Sequence, residues 1–140
     1  NAVLTRLTVA GGEGTLLDAG TERRGGGVWI DGGQLRLDDV QLNGGTSTWG
    51  GGLAIRDGIL KMLDSRILNA FATMGGGLVH IDGGIVEMDD VALLFGGASY
   101  GGGMMVAAGD VALDDVNIEF GQALTRGRRR KGRRAWRLLS

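Results

Sequence analysis

The 140-residue chain is predicted to fold as a right-handed parallel β-helix, an all-β solenoid with three short strands per coil, about 25 residues per coil, and four full coils after a partial N-terminal one. Three observations predict it. Triple glycines stand at Gly25–Gly27, Gly50–Gly52, Gly75–Gly77 and Gly101–Gly103, at offsets of 25, 25 and 26 residues, and self-similarity at a fixed period in that range marks a stacked array. Each triplet is followed by apolar pairs with period-two spacing, which is a strand pattern. Glycine or aspartate interrupts the chain so often that a helix has no room between the breakers.

The elements follow in order. The opening "LTRLTVAGG" matches the end of a unit, with Leu7 and Val9 as its closing apolar pair. The stretch from Gly12 to Gly25 is eight residues longer than its equivalents, and insertions in a repeat array map to loops on one side, often the binding side. In the first full unit Val28/Ile30, Leu35/Leu37 and Val40/Leu42 make three pairs; the second has Leu53/Ile55, Leu60/Met62 and Ser65/Ile67. The third has Val79/Ile81, Val86/Met88 and Val91/Leu93, with its one extra residue best placed at Leu78. The fourth has Met104/Val106, Val111/Leu113 and Val116/Ile118. Stacking puts each apolar position about 4.8 Å above its equivalent and joins the columns into one core. The chain has 29 glycines; they supply positive φ at corners and let backbones approach without a Cβ between them. A phosphate cradle would instead need a helix to start after the glycines, and none is predicted. Residues 1–124 are therefore read as the repeat domain, one stretch of a longer solenoid with adjacent coils as neighbours, and 125–140 as a basic, disordered tail.

Composition sets bounds on function. There is no cysteine, so disulfides and thiolate metal sites are excluded. No apolar run is long enough to span a bilayer as a helix, and no signal peptide is visible. The net charge of −1 hides two regions: all 16 acids precede residue 126, while eight of the 15 bases lie in residues 126–140. A basic tract of this kind contacts nucleic acid or anionic membrane in some proteins. Nucleic acid is not the expected partner here, because only Trp136 is interleaved with the bases and no binding fold precedes them.

Function in a solenoid usually sits in outward columns. After each glycine triplet, Trp29, Ala54, His80 and Met105 form one column, with Asp31, Arg56, Asp82 and Ala107 beside it. The catalytic reading takes Asp31, His80 and Asp82 as the residues of a polysaccharide-cleaving face. Two coils separate the acids, about 9.6 Å at twice the strand spacing, near the wide end for an inverting carboxylate pair. The structural reading is preferred: Arg56 lies between the acids and builds a charge ladder across neighbouring strands, so no catalytic residue is assigned. His80 alone makes no metal site. Asp39, Asp64, Asp90 and Asp115 recur at the corner after the second pair. Corner hydrogen bonding is the first explanation; calcium, which takes several oxygen ligands, is the second, although no segment fits the glycine-rich calcium repeat. Ahead of the triplets stand Arg24, Trp49, Met74 and Tyr100. The binding candidates are Trp29, Trp49, Arg56, His80 and Tyr100.

The recurring GGG followed by Val, Leu, Ile or Met in register, from about Val3 to Gly121, resembles the bacterial polymorphic outer-membrane-protein type of β-helix repeat. The Phe-x-x-Asn signature of that family is absent: neither Phe71 nor Phe95 is followed by Asn three places on. The resemblance implies an exported protein at the extracellular or outer-membrane surface, a passenger or adhesin scaffold with a host-surface or polysaccharide ligand and no cofactor. A polysaccharide-active enzyme, a lyase or glycoside hydrolase, is the alternative.

Overall fold

A computed structural model describes residues 1–16 and 22–119 in full, together with the backbone of the strands 122–125, 128–132 and 135–139. The described chain is all-β. β1 (Ala2–Ala10) is the partial coil; β2 (Thr15–Leu16) and β3 (Arg23–Arg24) lie in the long N-terminal insertion. β4 (Val28–Asn43) and β5 (Thr46–Trp49) make the first full coil, then β6 (Leu53–Leu63), β7 (Arg66–Leu68) and β8 (Phe71–Gly75) the second. β9 (Val79–Asp89), β10 (Ala92–Leu94) and β11 (Gly97–Tyr100) make the third, and β12 (Met104–Asp114), β13 (Asn117–Glu119) and β14 (Gln122–Thr125) the fourth. The coils stack in parallel through two sheets. One runs through the long strands β4, β6, β9 and β12, with β1 on the outer edge of β4 and with β7, β10 and β13 stacked on its far end; the other has the order β14-β11-β8-β5-β3-β2.

The inward columns are those read from the sequence. Ile30, Ile55, Ile81 and Val106 are in register, as are Leu35, Leu60, Val86 and Val111, and Leu37, Met62, Met88 and Leu113. Leu7 pairs with Val40 and Val9 with Leu42, as the opening segment predicted. Burial is deepest in the two middle coils, while Leu4, Leu7 and Val9 at one end and Val106, Val111 and Ile118 at the other are only half-buried. One position of the apolar columns is polar. Ser65 replaces the valine of the other coils; its hydroxyl donates to the Leu63 carbonyl at 2.7 Å and accepts the Val40 N–H at 3.1 Å. Ser65→Ala should orphan that buried N–H and cost about 1–3 kcal/mol, read as a lower urea midpoint.

Two features of the coil differ from expectation. Three strands per coil is right in number for the second, third and fourth coils, while the first has two, and the assignment differs. The first and second apolar pairs belong to one bent strand, and a segment that carried no apolar signal, β5, β8 and β11, forms a wall of its own. The extra residue of the third unit is also elsewhere. Trp49 is in register with Gly75, not Met74, across an irregularity that follows Ala72, so the insertion is a bulge in β8. Leu78 then occupies the place of Gly52 and is fully buried in the core.

The corners explain the residues found at them. Asp39, Asp64, Asp90 and Asp115 have φ of 55, 48, 51 and 48°, and Arg6 takes the same place in the partial coil at 49°. That left-handed region admits Asp and Asn more readily than most side chains, so the column is dictated first by backbone conformation. The triplets make the tightest corner. A Cβ on Gly51 would lie 2.4 Å from the Phe71 carbonyl oxygen and 2.5 Å from that of Gly77, the neighbouring coil's own backbone.

The N-terminal insertion is a β-hairpin rather than a loop. β2 pairs antiparallel with β3, and Arg24 of β3 pairs with Trp49 of β5, so the hairpin covers the outer edge of the second sheet. Residues 17–21, which the recognition reading included, lie outside the described residues. In the basic tail the described backbone forms an antiparallel pair of strands, β15 (Arg128–Gly132) and β16 (Ala135–Leu139); its side chains, Trp136 among them, lie outside the described residues.

Candidate functional site

The triple-glycine corner brings together two columns that the sequence presents separately. A Cβ on Gly50 would meet that of Ala54 at 2.9 Å, and one on Gly76 would lie 2.8 Å from the His80 Cα. Because the corner closes so sharply, side chains just before it and just after it share one external angle. The column Arg24, Trp49, Gly75 and Tyr100 therefore faces the column Trp29, Ala54, His80 and Met105. Size alternates across the angle. Trp49 lies over the coil below, where Gly75 has no side chain: a Cβ there would be 2.9 Å from the indole and closer still to the Met105 sulfur. The indole instead meets the His80 ring, with centroids 4.9 Å apart and planes tilted by 44°.

His80 is thus not on an open groove. It is 3% exposed, and its Nδ1 has no hydrogen-bond partner among the described residues. Burial, and then the Arg24 guanidinium, lower its pKa to about 4, against an opposing pull from Asp82. It is neutral at pH 7. Since the unfolded imidazole titrates near 6.5, the unfolded chain binds more protons between those values, and stability should fall as pH drops from about 6.5 towards 4.

The carboxylates and arginines pair differently from the expected ladder. A register shift after Ile30 sets Asp31 opposite Asp57 and moves Arg56 out of line. Arg56 still reaches Asp31, with Nε donating to Oδ1 at 2.9 Å. Asp82 Oδ2 is held by Arg24 Nη1 at 3.2 Å, from a residue 58 positions earlier. Asp82 is in register with Ala108, not Ala107. Arg24 lies 5.8 Å from the Trp29 ring centre and 6.0 Å from that of Trp49; Arg56 is 5.9 Å from Trp29. Trp49 Nε1 donates to Glu22 at 3.3 Å. The arrangement is a rank of indoles and guanidiniums braced by acids, a form suited to recognition of flat or hydroxylated surfaces. Tyr100, 45% exposed, presents its ring farther along the same angle.

The aspartate corner was the calcium candidate. Among the described residues no three His, Asp or Glu side chains converge as a metal cage requires. Asp64 is instead held above the ordinary carboxylate value, by partial desolvation first and then by Asp90, Asp38 and Asp89. A raised value means that its stabilising share is present in acid and lost as pH rises through it, so the repulsion is felt at neutral pH. Asp64→Asn keeps a residue tolerant of the left-handed conformation and removes the charge. It should raise the urea midpoint at pH 7, by less in high salt.

Three comparisons, with protein-family models, with curated proteins and with solved structures, find no match to the chain.

Proposed function

We propose that the chain is a coil segment of an exported, surface-displayed solenoid acting as a non-catalytic binding scaffold of the adhesin or passenger type, with a polysaccharide or host surface as its partner. The observation that carries this reading is the state of the three residues an enzyme would need. Asp31 is tied to Arg56, Asp82 to Arg24, and His80 lies buried under Trp49. The same contacts hold Trp29 and Trp49 in fixed positions beside an exposed Tyr100, a pre-organised surface for a sugar ring or a partner's flat face.

The test is retention on immobilised neutral and acidic polysaccharides, together with an assay for newly released reducing or unsaturated ends. Binding without chain cleavage, weakened at least tenfold by Tyr100→Ala at unchanged stability, is expected. Release of chain ends that Asp31→Asn or Asp82→Asn abolishes would replace the scaffold with the polysaccharide-active enzyme. Display at the cell surface is checked separately, by accessibility of the chain to protease on intact source cells.

A further inference from the structure

The outer faces of the two sheets differ in kind. Thr46–Trp49, Phe71–Gly75 and Gly97–Tyr100 hold no charged residue, so the wall made by β5, β8 and β11 is uncharged. The long strands of the first sheet carry ion pairs, Arg36 with Asp38 and Lys61 with Glu87. Exposed apolar side chains gather on the wall instead: Phe71 is 54% exposed, Met74 40% and Tyr100 45%. A cluster of this kind marks a surface that meets a partner.

Glycine sets the posture of the rings. Phe71 is in register with Gly97 of the next coil. A Cβ there would be 2.7 Å from Phe71 Cδ1 and 3.0 Å from Cε1, so the ring leans by one edge into the space that glycine leaves. Trp49 leans over Gly75 in the same way at the other end of the wall, where Tyr100 is also in register with Gly75. From Gly97 to Tyr100 the strand rises about 10 Å. Thr73 and Ser99 fill that interval, and the Ser99 hydroxyl donates to the Thr73 carbonyl at 2.7 Å. Thr46 and Thr73 are exposed on either side of Phe71.

We propose that this wall is a binding face for an uncharged polysaccharide whose chain crosses it from Phe71 to Tyr100; the inference rests on the proposed scaffold role and adds the ligand's charge class and the face that holds it. A sugar ring has an apolar C–H face and hydroxyls around its rim, which suits aromatic rings spaced by threonine and serine. Charge selects within that class. Residues 1–125 carry 16 acids against seven bases, and a field of that sign repels an anionic chain. The two arginines of the adjoining β3 are engaged, Arg24 with Asp82 and Arg23 with the Gly14 carbonyl. An anionic chain would therefore lose hydration on a face that offers no cation in return. Gly97 is a positioning residue, since its missing side chain is what lets Phe71 lean across.

The experiment is retention of the full chain on neutral glucan, mannan and galactan, set against polygalacturonate and alginate. Retention on at least one neutral polymer is expected, unchanged from low to high salt. Phe71→Ala should weaken it at least tenfold; Phe71→Leu, which keeps apolar bulk and loses the ring, serves if the alanine lowers the urea midpoint. Gly97 lies outside the left-handed region, so Gly97→Ala displaces the ring without straining the backbone. It should weaken retention at least threefold at the parent's urea midpoint, and have no further effect once Phe71 is alanine. Ile85→Ala, which trims a 44% exposed side chain from the first sheet, should change nothing. Retention on the anionic polymers alone overturns the ligand class and leaves the scaffold role standing. Neutral retention that survives both Phe71→Ala and Gly97→Ala overturns the face. An equal effect of Gly97→Ala with and without the ring overturns the positioning role, and retention on none of the polymers ends both the inference and the polysaccharide reading beneath it.

Discussion

Gly51→Ala is expected to cost more than about 3 kcal/mol, a large share of the stability of an ordinary domain. The added methyl would lie 2.4 Å from the carbonyl oxygen of Phe71 and 2.5 Å from both the Phe71 nitrogen and the Gly77 oxygen. All three are backbone atoms of the stacked coils, so no rotamer change relieves the overlap, and a shift at one coil must propagate to its neighbours. Gly32→Ala is the control. It lies at φ +87° with nothing within 4 Å of the added atom, so it should cost only the left-handed strain of roughly 1–2 kcal/mol. Urea denaturation of both variants separates close approach from backbone conformation as the reason for glycine. Equal losses would mean that the stacking distance at the triplet is not what excludes a side chain.

Leu78→Ala should cost about 2–5 kcal/mol, the range for deleting a fully buried leucine side chain. Leu78 stands where the other coils have glycine, and its Cγ would be 2.6 Å from a Cβ on Gly96. The third coil therefore fills with one leucine the space that elsewhere is filled differently, and Gly96 is small to admit it. Were Leu78 the extra residue of the unit, bulged from the strand, its truncation would change stability by well under 1 kcal/mol.

That misplacement shows where sequence reasoning reached and where it stopped. Three apolar columns and the aspartate corner were legible because a 25-residue period repeats both composition and spacing. The wall formed by "TSTW", "FATMG" and "GASY" was not, since short strands of Thr, Ser, Ala and Gly carry no apolar alternation. With that wall unread, nothing fixed the place of the extra residue, and Met74 took the position that belongs to Gly75. The candidate residues could be picked out column by column, but their relations were not visible. Trp49 reaches His80 only because the glycine corner folds one column onto another and Gly75 leaves the space. Asp82 finds Arg24 across two coils. Contacts that cross between coils diagonally leave no mark in a register drawn straight down the columns.

The stacking has a further consequence, for how the chain reaches this state. Hydrogen bonds from one coil to the next join residues 25 positions apart, as Val40 to Ser65 and Arg23 to Thr48 do. However many coils are added, the loop to be closed stays about this long, and its entropic cost does not grow with chain length. Folding can therefore start at one coil and advance by accretion, each turn using the last as its template. The slow event is making the first pair of turns, and its rate at each neighbouring pair should be the same in an array of four coils as in one of forty.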